Sequence, residues 1–390
     1  MTDAHPTTLT RQTLVSLAAA ISCIVAVGIG LSLSIPLLSF ALDAKGASRT
    51  LIGLNTAMGG VASILLAPFI TGWARTFGVR TILLAAALLG IASLLAFYVV
   101  EPIWAWFPLR FVFSVALTVL FVLSEYWINA AAPEARRGLV LGIYATALSL
   151  GFAAGPYILV LLGTAGIAPY LAGSALFALA TLPVLLGGAS APPIVDEPSR
   201  GFASFLWAAP AATLAALVFG ASETGAFALL PLYGTAIGLD VAGAAMLVSL
   251  MSLGNLAFQI PMGLIADRID RRIVLIACGL VGTIGMGIAA LVPLSADWLR
   301  VLLFIWGGIV AGMYTVGLAH LGHRFRGADL AQANAAFVVM YSAGLMIGPP
   351  LAGFGMDLWP PNGLPATLAL LFGLYLAVVV QRYVANRIRA

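Results

Sequence analysis

The stretch GLIADRIDRR, residues 263–272, carries five charged side chains in ten positions, in a chain where only 8% of the residues are charged. Long apolar runs precede and follow it. Two apolar helices joined by a short, mostly basic turn are typical of a membrane-spanning hairpin, because the charges stay in water while the helices cross the hydrocarbon. The stretch therefore predicts that the chain on both sides of it lies in a membrane.

The composition extends this prediction to the whole chain. Of the 390 residues, 62% are hydrophobic, and the mean hydropathy is +1.10. An ordinary water-facing surface needs about a quarter charged residues, so a large soluble domain is excluded. One crossing takes about 20 apolar residues, which leaves room for roughly twelve helices. The net charge of +4 comes from basic residues scattered singly between apolar runs, which argues against a nucleic-acid partner.

Apolar runs between charged or Pro- and Gly-marked breaks predict an all-α chain of twelve transmembrane helices. The first six are predicted at residues 14–38, 50–73, 79–100, 104–128, 138–161 and 168–189. After the polar segment APPIVDEPSRG, residues 191–201, the second six are predicted at 206–236, 241–264, 272–294, 298–320, 330–355 and 362–385. The predicted domains are a first six-helix bundle, 1–189, a cytoplasmic linker, 190–205, and a second six-helix bundle, 206–390.

The basic residues are distributed unequally between the two sides that this arrangement defines. The even-numbered connections and both tails hold fourteen arginines, whereas the odd-numbered connections hold only Lys45, Arg49 and Arg300. Cytoplasmic connections are enriched in basic residues. We therefore expect both termini to be cytoplasmic.

The two halves of the chain resemble each other. GWARTFGVR, 72–80, joins predicted helices two and three, as GLIADRIDRR joins helices eight and nine. GFAAGP, 151–156, corresponds to GLMIGP, 344–349, and LRFVF corresponds to LRVLL at the starts of helices four and ten. A duplicated six-helix unit is typical of transporters, because two similar halves can rock about a binding site between them.

Together these features resemble the major facilitator superfamily over nearly the whole chain. Three segments resemble its YcaD-like group: SEYWINAAAPEARRG (124–138), ALLPLYGTAIGL (228–239) and GMYTVGLAHLGHRFRGADLAQANAAF (312–337). The resemblance implies two pseudo-symmetric six-helix bundles and a cytoplasmic gate at the family's loop motif. In this chain the gate residues are Gly263, Asp267, Arg268, Arg271 and Arg272, with Gly72, Arg75 and Arg80 in a first-half copy that lacks the acidic residue.

Asp267 is the gate residue that membrane topology by itself does not require. At the end of helix eight it can accept hydrogen bonds from a neighbouring helix N-terminus or pair with an arginine, and so hold the cytoplasmic side shut. The alternative is that it only neutralises the arginines around it.

Helix five resembles the family's antiporter pattern, although the final glycine pair of that pattern is replaced. The matching residues are Gly142, Gly151, Gly155 and Pro156. The resemblance implies export by exchange. The alternative is that glycines four residues apart simply let two helices pack closely.

Three ionisable residues stand out inside predicted helices: Arg110 and Glu125 in helix four and Glu223 in helix seven. A charge in hydrocarbon costs about 2.5–3.5 kcal/mol on insertion scales, so such a residue normally faces a cavity or a partner. Arg110 and Glu125 lie about 22 Å apart along the helix but only about 60° apart around it. They do not pair directly, yet both can face one cavity. The resemblance places helices four and seven along the transport path.

We predict that Glu223, Glu125 or both take up and release protons, and the resemblance implies that Arg110 takes part in proton handling or anion binding. Burial favours the neutral form of a carboxyl group, and a nearby cation favours the charged form. The alternatives are that either glutamate has a structural role, Glu125 by pairing with loop arginines, and that Arg110 extends to the membrane interface. Candidates for substrate contact are the polar and aromatic residues Tyr126, Trp127, Tyr144, Asn255, Gln259, Tyr314, Asn334 and Tyr341.

With the resemblance, the sequence thus predicts a secondary transporter of the bacterial inner membrane that exports small apolar or amphipathic compounds in exchange for protons. The resemblance implies a monomer. The alternatives are a proton-coupled uptake symporter for a small organic solute and, further removed, a membrane sensor or a membrane enzyme. The sequence contains no phosphate-binding loop, catalytic triad or zinc-protease motif, so we predict no enzyme activity, no cofactor and no metal. The expected partners are a small-molecule substrate, protons and the lipid bilayer.

Overall fold

The computed structural model describes residues 11–133, 136–187 and 209–389, which form twelve α-helices and one 3₁₀ turn, Ile103–Ala105. The first six helices are α1 (Arg11–Ala44), α2 (Arg49–Phe77), α3 (Val79–Val99), α4 (Trp106–Ala131), α5 (Arg137–Leu162) and α6 (Ala168–Gly187). The second six are α7 (Pro210–Ala236), α8 (Val241–Arg268), α9 (Arg271–Leu291), α10 (Ala296–Arg324), α11 (Gly327–Leu358) and α12 (Gly363–Arg389).

All twelve helices contain a stretch that is long and apolar enough to cross a membrane. In hydrocarbon no water is available to pair with backbone N–H and C=O groups, so a crossing segment must satisfy them internally, and a helix does so within one segment. No β-strand occurs in the described ranges. The prediction of an all-α membrane protein with twelve transmembrane helices is confirmed.

The helix ends differ from the predicted ends in a systematic way. α8 and α10 end at Arg268 and Arg324, four residues beyond the predicted ends, and α1 continues to Ala44. Hydropathy marks the part of a helix that suits hydrocarbon, whereas the helical hydrogen bonds continue into the aqueous boundary. The prediction for α9 fails in the other direction, because the helix stops at Leu291, two residues before Pro293, and the residue before a proline disfavours helix. The linker 190–205 lies outside the described residues.

The two turns that carry the predicted gate motifs are very short. Gly78 alone separates α2 from α3, and its φ of +85° lies in the left-handed region that favours glycine. Ile269 and Asp270 separate α8 from α9. The Asp270 carboxylate accepts a hydrogen bond of 2.8 Å from the backbone N–H of Arg272 and so caps the start of α9.

The chain folds into two compact units. One comprises Met1–Leu37 and Val61–Glu197, and the other comprises Leu38–Gly60 and Pro198–Ala390. The end of α1 and the first half of α2 thus belong to the same unit as α7–α12. The division of the chain into six-helix bundles at 189 and 206 stays a prediction.

In the first unit, aromatic rings and glycines set the packing. Phe113 of α4 lies 6.3 Å from Phe97 of α3 and 6.1 Å from Phe177 of α6, measured between ring centroids, and all three side chains are buried. α5 approaches α1 where the Cα atoms of Gly151 and Gly28 meet, and the Ser32 hydroxyl donates a hydrogen bond of 3.0 Å to the Gly151 carbonyl oxygen. The glycine pattern of helix five therefore allows a close backbone contact.

In the second unit, α7 is the most enclosed helix. Of its 27 residues 21 are buried, and it packs against α8, α10, α11 and α12. Small residues permit this density, because a Cβ on Gly344 or Gly348 of α11 would collide with the α7 backbone at Leu217 or Ala221. α7 and α11 therefore touch backbone to backbone along two turns.

The glycines of helix five lead to a first prediction. Gly155→Ala should lower the free energy of unfolding of the purified protein by about 1–3 kcal/mol, the usual cost of overpacking. The reason is that the new methyl group would collide with Ser32 and the backbone of Leu33. Gly142→Ala is the matched control, since no heavy atom lies within 4 Å of a Cβ at that position. Thermal unfolding in detergent measures both variants, and equal stability of the two would contradict the close-packing role.

Candidate functional site

Glu223 lies in the middle of α7, and its side chain is partly buried. The hydroxyl of Tyr341, on α11, donates a hydrogen bond of 2.7 Å to Oε2 of Glu223. Tyrosine is a suitable donor here because its ring adds apolar packing while its hydroxyl reaches the polar atom. Glu223 and Tyr341 were predicted in separate roles, as proton carrier and substrate contact, and the structure brings them together.

Aromatic rings pack around Tyr341 and its neighbour Tyr314. Phe219 lies one turn before Glu223 on α7, and its ring centroid is 6.1 Å from that of Tyr341 in a stacked arrangement and 6.0 Å from that of Tyr314 on α10. The Tyr314 ring contacts Tyr341 edge to face at 5.5 Å and Phe337 at 5.1 Å. We call Glu223, Tyr341, Tyr314, Phe219 and Phe337 the Glu223 site. It combines one carboxyl group with four aromatic rings.

The backbone contact between α7 and α11 places these side chains. A Cβ on Gly220 would collide with the backbone oxygen of Tyr341, so the two helices are in contact three residues before Glu223. At this separation the Tyr341 hydroxyl reaches the Glu223 carboxyl group directly. Phe219 and Phe337 were not among the predicted contacts, although each lies four residues before a predicted one, which is one helical turn.

Glu223 has no cationic partner among the described residues. The salt bridges there join Asp43 to Arg49, Asp267 to Arg271 at 3.8 Å and Asp297 to Arg300 at 2.7 Å. None of them lies in the Glu223 site. When this carboxyl group is ionised, its charge is therefore stabilised by the Tyr341 hydroxyl and by any water or ligand bound beside it.

Arg110 and Glu125 of α4 occupy different environments. The Arg110 side chain is only 3% exposed, and its Nε and Nη1 have no hydrogen-bond partner among the described residues. Such burial is unlike an arginine that extends to the membrane interface. Glu125 is exposed. Arg110 and Glu125 lie in the first compact unit and Glu223 in the second, and no salt bridge joins Arg110 to Glu125 within the described residues.

The remaining predicted substrate contacts are dispersed. Trp127 is fully buried and its Nε1–H donates to the Ser16 hydroxyl at 2.8 Å, while the Tyr144 hydroxyl shares a hydrogen bond of 3.0 Å with that of Ser124. Those contacts hold α4 to α1 and α5. The partly buried candidates are Tyr126, Asn255, Gln259 and Asn334. Of the original set, only Tyr314 and Tyr341 lie in the Glu223 site.

The predicted gate residues lie at helix ends. Asp267 is exposed on the last turn of α8 and faces Arg271, the first residue of α9. In the first-half copy, Nη2 of Arg80 donates to the backbone oxygen of Leu185 at 2.9 Å. The other gate side chains, Arg75 and Arg268, are exposed, and Arg272 is partly buried. A Cβ at Gly72 or Gly263 would meet no atom within 4 Å, so neither glycine is there for packing.

The twelve membrane-length helices define a multi-pass membrane protein, and the similar short turns after α2 and α8 are typical of a transporter with two similar halves. The sequence model of the Major Facilitator Superfamily matches residues 20–246 and 212–387. The chain belongs to the major facilitator superfamily. It is therefore a membrane transporter and not an enzyme.

Relatives agree with this assignment. The chain is 25% identical over 365 residues to an MFS-type transporter, YfkF, of Bacillus subtilis, covering 91% of this chain and 92% of that protein. It is 24% identical over 324 residues to an MFS-type transporter of an Enterobacter species, covering 80% and 79%. The narrower YcaD-like grouping stays a prediction.

Solved structures share the fold. A mutant of the nucleoside transporter NupG is similar with a TM-score of 0.79 at 16% identity, covering 95% of this chain and 99% of that one. A bacterial homologue of the human lysosomal transporter Spinster, solved inward-facing and occupied, is similar with a TM-score of 0.76 at 12% identity, covering 98% of each chain. At such identities the likeness concerns the fold alone.

A second prediction concerns the hydrogen bond in the Glu223 site. Tyr341→Phe and Glu223→Gln should each change the stability of the protein, and the double variant should depart from the sum of the two by about 0.5–3 kcal/mol, as residues in direct contact do. Denaturant or thermal unfolding in detergent measures the cycle. In the control cycle, Tyr375→Phe replaces Tyr341→Phe. The Tyr375 hydroxyl, on α12, donates a hydrogen bond to the backbone oxygen of Ala211. Ala211 lies on α7 but twelve residues before Glu223, so the stability changes in this control cycle should be additive. Additivity in both cycles would contradict the pairing.

Proposed function

We propose that this protein is a secondary transporter that exports small apolar or amphipathic compounds across the bacterial inner membrane in exchange for protons. It works by alternating access, as a monomer, with both termini in the cytoplasm. The observation that carries the proposal is Glu223, a carboxyl group within a membrane-spanning helix that has a hydroxyl donor but no cation beside it among the described residues.

Proton exchange follows from the environment of Glu223. An ionised carboxylate costs several kcal/mol in an apolar surrounding unless it is paired. The Tyr341 hydroxyl stabilises the ionised form only in part, so enclosure of the site favours uptake of a proton, and contact with water favours its release. A transporter that exposes Glu223 to one side of the membrane and then to the other therefore carries protons across.

The direction of transport rests on the resemblance of helix five to the family's antiporter pattern, not on the packing of its glycines. Gly151 and Gly155 contact α1 closely and so serve helix packing. Gly142 has open space around it and has no packing role. The family resemblance associates this pattern with exporters. Uptake in symport with protons is the rival, and the direction of proton movement in the experiment below separates the two.

The cytoplasmic gate is proposed at Asp267 and Arg271. Their side chains lie 3.8 Å apart, which supports the pairing of this aspartate with an arginine. In this state Asp270, not Asp267, caps the start of α9. Asp267 is thus available to accept hydrogen bonds from another helix N-terminus when the gate is closed, and it neutralises Arg271 when the gate is open.

A third prediction tests Glu223 as the proton carrier. Proteoliposomes that hold a pH-sensitive dye are given an imposed pH gradient and a panel of small solutes, which includes nucleosides, neutral apolar compounds and amphipathic amines. Wild-type protein should move protons opposite to the solute that it carries. Glu223→Gln should abolish this coupled proton movement, because the amide keeps the shape of the side chain but does not ionise.

Two comparison variants make the result specific. Glu101→Gln lies between α3 and α4, outside the spans, and should leave proton movement unchanged. Glu125→Gln tests the other glutamate predicted from the sequence. Loss of coupling in Glu125→Gln together with normal coupling in Glu223→Gln would move the proton-carrying role to Glu125. Proton movement in the same direction as the solute would replace export by uptake.

A further inference from the structure

We infer that the Glu223 site binds a monovalent organic cation with an aromatic or bulky apolar body. The inference rests on the proposed transport role of this site and adds the chemical class of its ligand. Three features of the site carry it: the uncompensated carboxyl group, the arrangement of the rings and the scarcity of other polar groups.

The carboxyl group determines the sign of the ligand charge. No arginine, lysine or histidine forms a salt bridge with Glu223 among the described residues. An ionised Glu223 is therefore neutralised only by a proton or by a positive charge that the ligand brings. Because the site contains one carboxyl group, one positive charge is sufficient, and a doubly charged ligand would leave an excess charge inside the membrane.

The rings determine the chemistry around that charge. Phe219 and Tyr341 stack at 6.1 Å, and the rings of Tyr314 and Phe337 meet edge to face at 5.1 Å. A cation over an aromatic face is attracted by the ring quadrupole, and sites for ammonium ligands use several rings in this way. The same rings bury an apolar body. The site thus suits a charge carried on an apolar framework.

The scarcity of polar groups disfavours sugar-like ligands. The Tyr341 hydroxyl is already bonded to Glu223 at 2.7 Å, and Phe219 and Phe337 offer no hydrogen-bonding atoms. The Tyr314 hydroxyl is then the one further polar group among the five side chains of the site. A polyol or nucleoside placed against these rings would leave hydroxyl groups unpaired, which costs free energy for each group. The Glu223 site therefore differs in chemistry from what a nucleoside would require, although a nucleoside transporter shares the fold.

Exchange follows from a single charge balance. The organic cation enters when Glu223 is ionised, and its binding excludes the proton from the same carboxyl group. Release of the cation to the other side leaves the carboxylate free to take a proton. No bond other than the O–H bond of the carboxyl group forms or breaks.

The fourth prediction uses two ions of nearly equal size and shape with opposite charge. Tetraphenylphosphonium and tetraphenylborate are titrated separately into purified protein in lipid nanodiscs, and protein-free nanodiscs give the background of partitioning. Tetraphenylphosphonium should bind saturably and tetraphenylborate should not. Glu223→Gln should weaken binding of the cation at least about tenfold, the change expected when a buried charge pair loses one partner. Phe219→Leu should weaken it about three- to tenfold.

The control variant is Phe304→Leu. Phe304 lies on α10 and packs against Phe258 of α8 at 6.0 Å, away from the Glu223 site, so its replacement should leave cation affinity unchanged. Equal saturable binding of both ions, or full cation affinity in Glu223→Gln, would overturn the inference. Coupled proton movement with neutral solutes alone would overturn the ligand class and leave the transport function standing. Cation binding without any transport would overturn the transport function and leave the ligand class standing.

A different observation carries a second inference: the geometry points to Asp357 as a latch that holds the start of α2 against the end of α11. One oxygen of Asp357 accepts a hydrogen bond from the backbone N–H of Arg49 at 3.0 Å, and the other accepts from the N–H and the hydroxyl of Thr50 at 2.9 and 2.6 Å. The first N–H groups of a helix have no partner within the helix, and its N-terminus attracts negative charge. Asp357 satisfies both requirements from another helix.

Glycines bring the two backbones together at the same place. A Cβ on Gly353 would collide with the backbone of Arg49, and a Cβ on Gly53 would collide with that of Pro349. Arg49 also pairs with Asp43 at the end of α1. The ends of α1 and α2 are thus held on α11, within a single compact unit, although α2 continues into the other unit. In the proposed topology this contact lies on the outer side of the membrane. With the bundles divided as the sequence predicts, α2 and α11 belong to different bundles, so outward opening requires the contact to separate.

The fifth prediction measures that separation. Spin labels on cysteines introduced at Ser48 and Leu358, in a background without Cys23 and Cys278, report the distance between the two ends. Asp357→Asn should shift the distance distribution towards longer values, and Thr50→Val should shift it less, because it removes one of three hydrogen bonds. Asp240→Asn is the matched control, since Asp240 caps its own helix by accepting from Gly243 N–H at 2.9 Å. An unchanged distribution in Asp357→Asn, with the protein folded as judged by its elution profile, would overturn the latch.

Discussion

The backbone of a chain in hydrocarbon must pair every N–H and C=O group with another group of the protein, and the rest of this structure depends on that constraint. It makes each crossing a helix and leaves only the helix ends with unpaired groups. Those ends are where this protein places most of its charge. Asp240 and Asp270 cap their own helices, and Asp357 caps α2 from a different helix. Pairing of the N–H groups at a helix start therefore stabilises a single helix at Asp240 and Asp270, whereas at Asp357 it joins two helices that are distant in the chain.

Once the backbone is satisfied, the distance between helices decides which side chains meet. Hydrophobic burial does not drive association between helices that are already in an apolar solvent, so close packing of small residues does much of that work. Gly220 and Gly344 allow α7 and α11 to touch. That contact brings the Tyr341 hydroxyl to Glu223 and arranges the surrounding rings. A carboxyl group that is costly in a membrane thus becomes part of a defined site.

The Glu223 site and the gate motif have different relations to the family. The gate motif resembles that of the superfamily, whereas the Glu223 site is where we propose that this chain binds its cargo. A single carboxyl group among four rings suits a proton or an organic cation and offers little to a polyol. Transport by the chain follows from its family, and the cargo class that we propose follows from the chemistry of this one site.

The sequence by itself determined the membrane location, the twelve helices and the family, because apolar length, basic turns and short motifs are local signals. It also marked Glu223, since an ionisable residue in an apolar run stands out without any coordinates. The tertiary structure alone decided that the Tyr341 hydroxyl bonds to Glu223, that Phe219 and Tyr314 pack against Tyr341, and that Asp357 reaches the start of α2. The physical reason is that the two hydrogen bonds join residues 118 and 308 positions apart in the chain, through helix packing that leaves no periodic trace in the sequence.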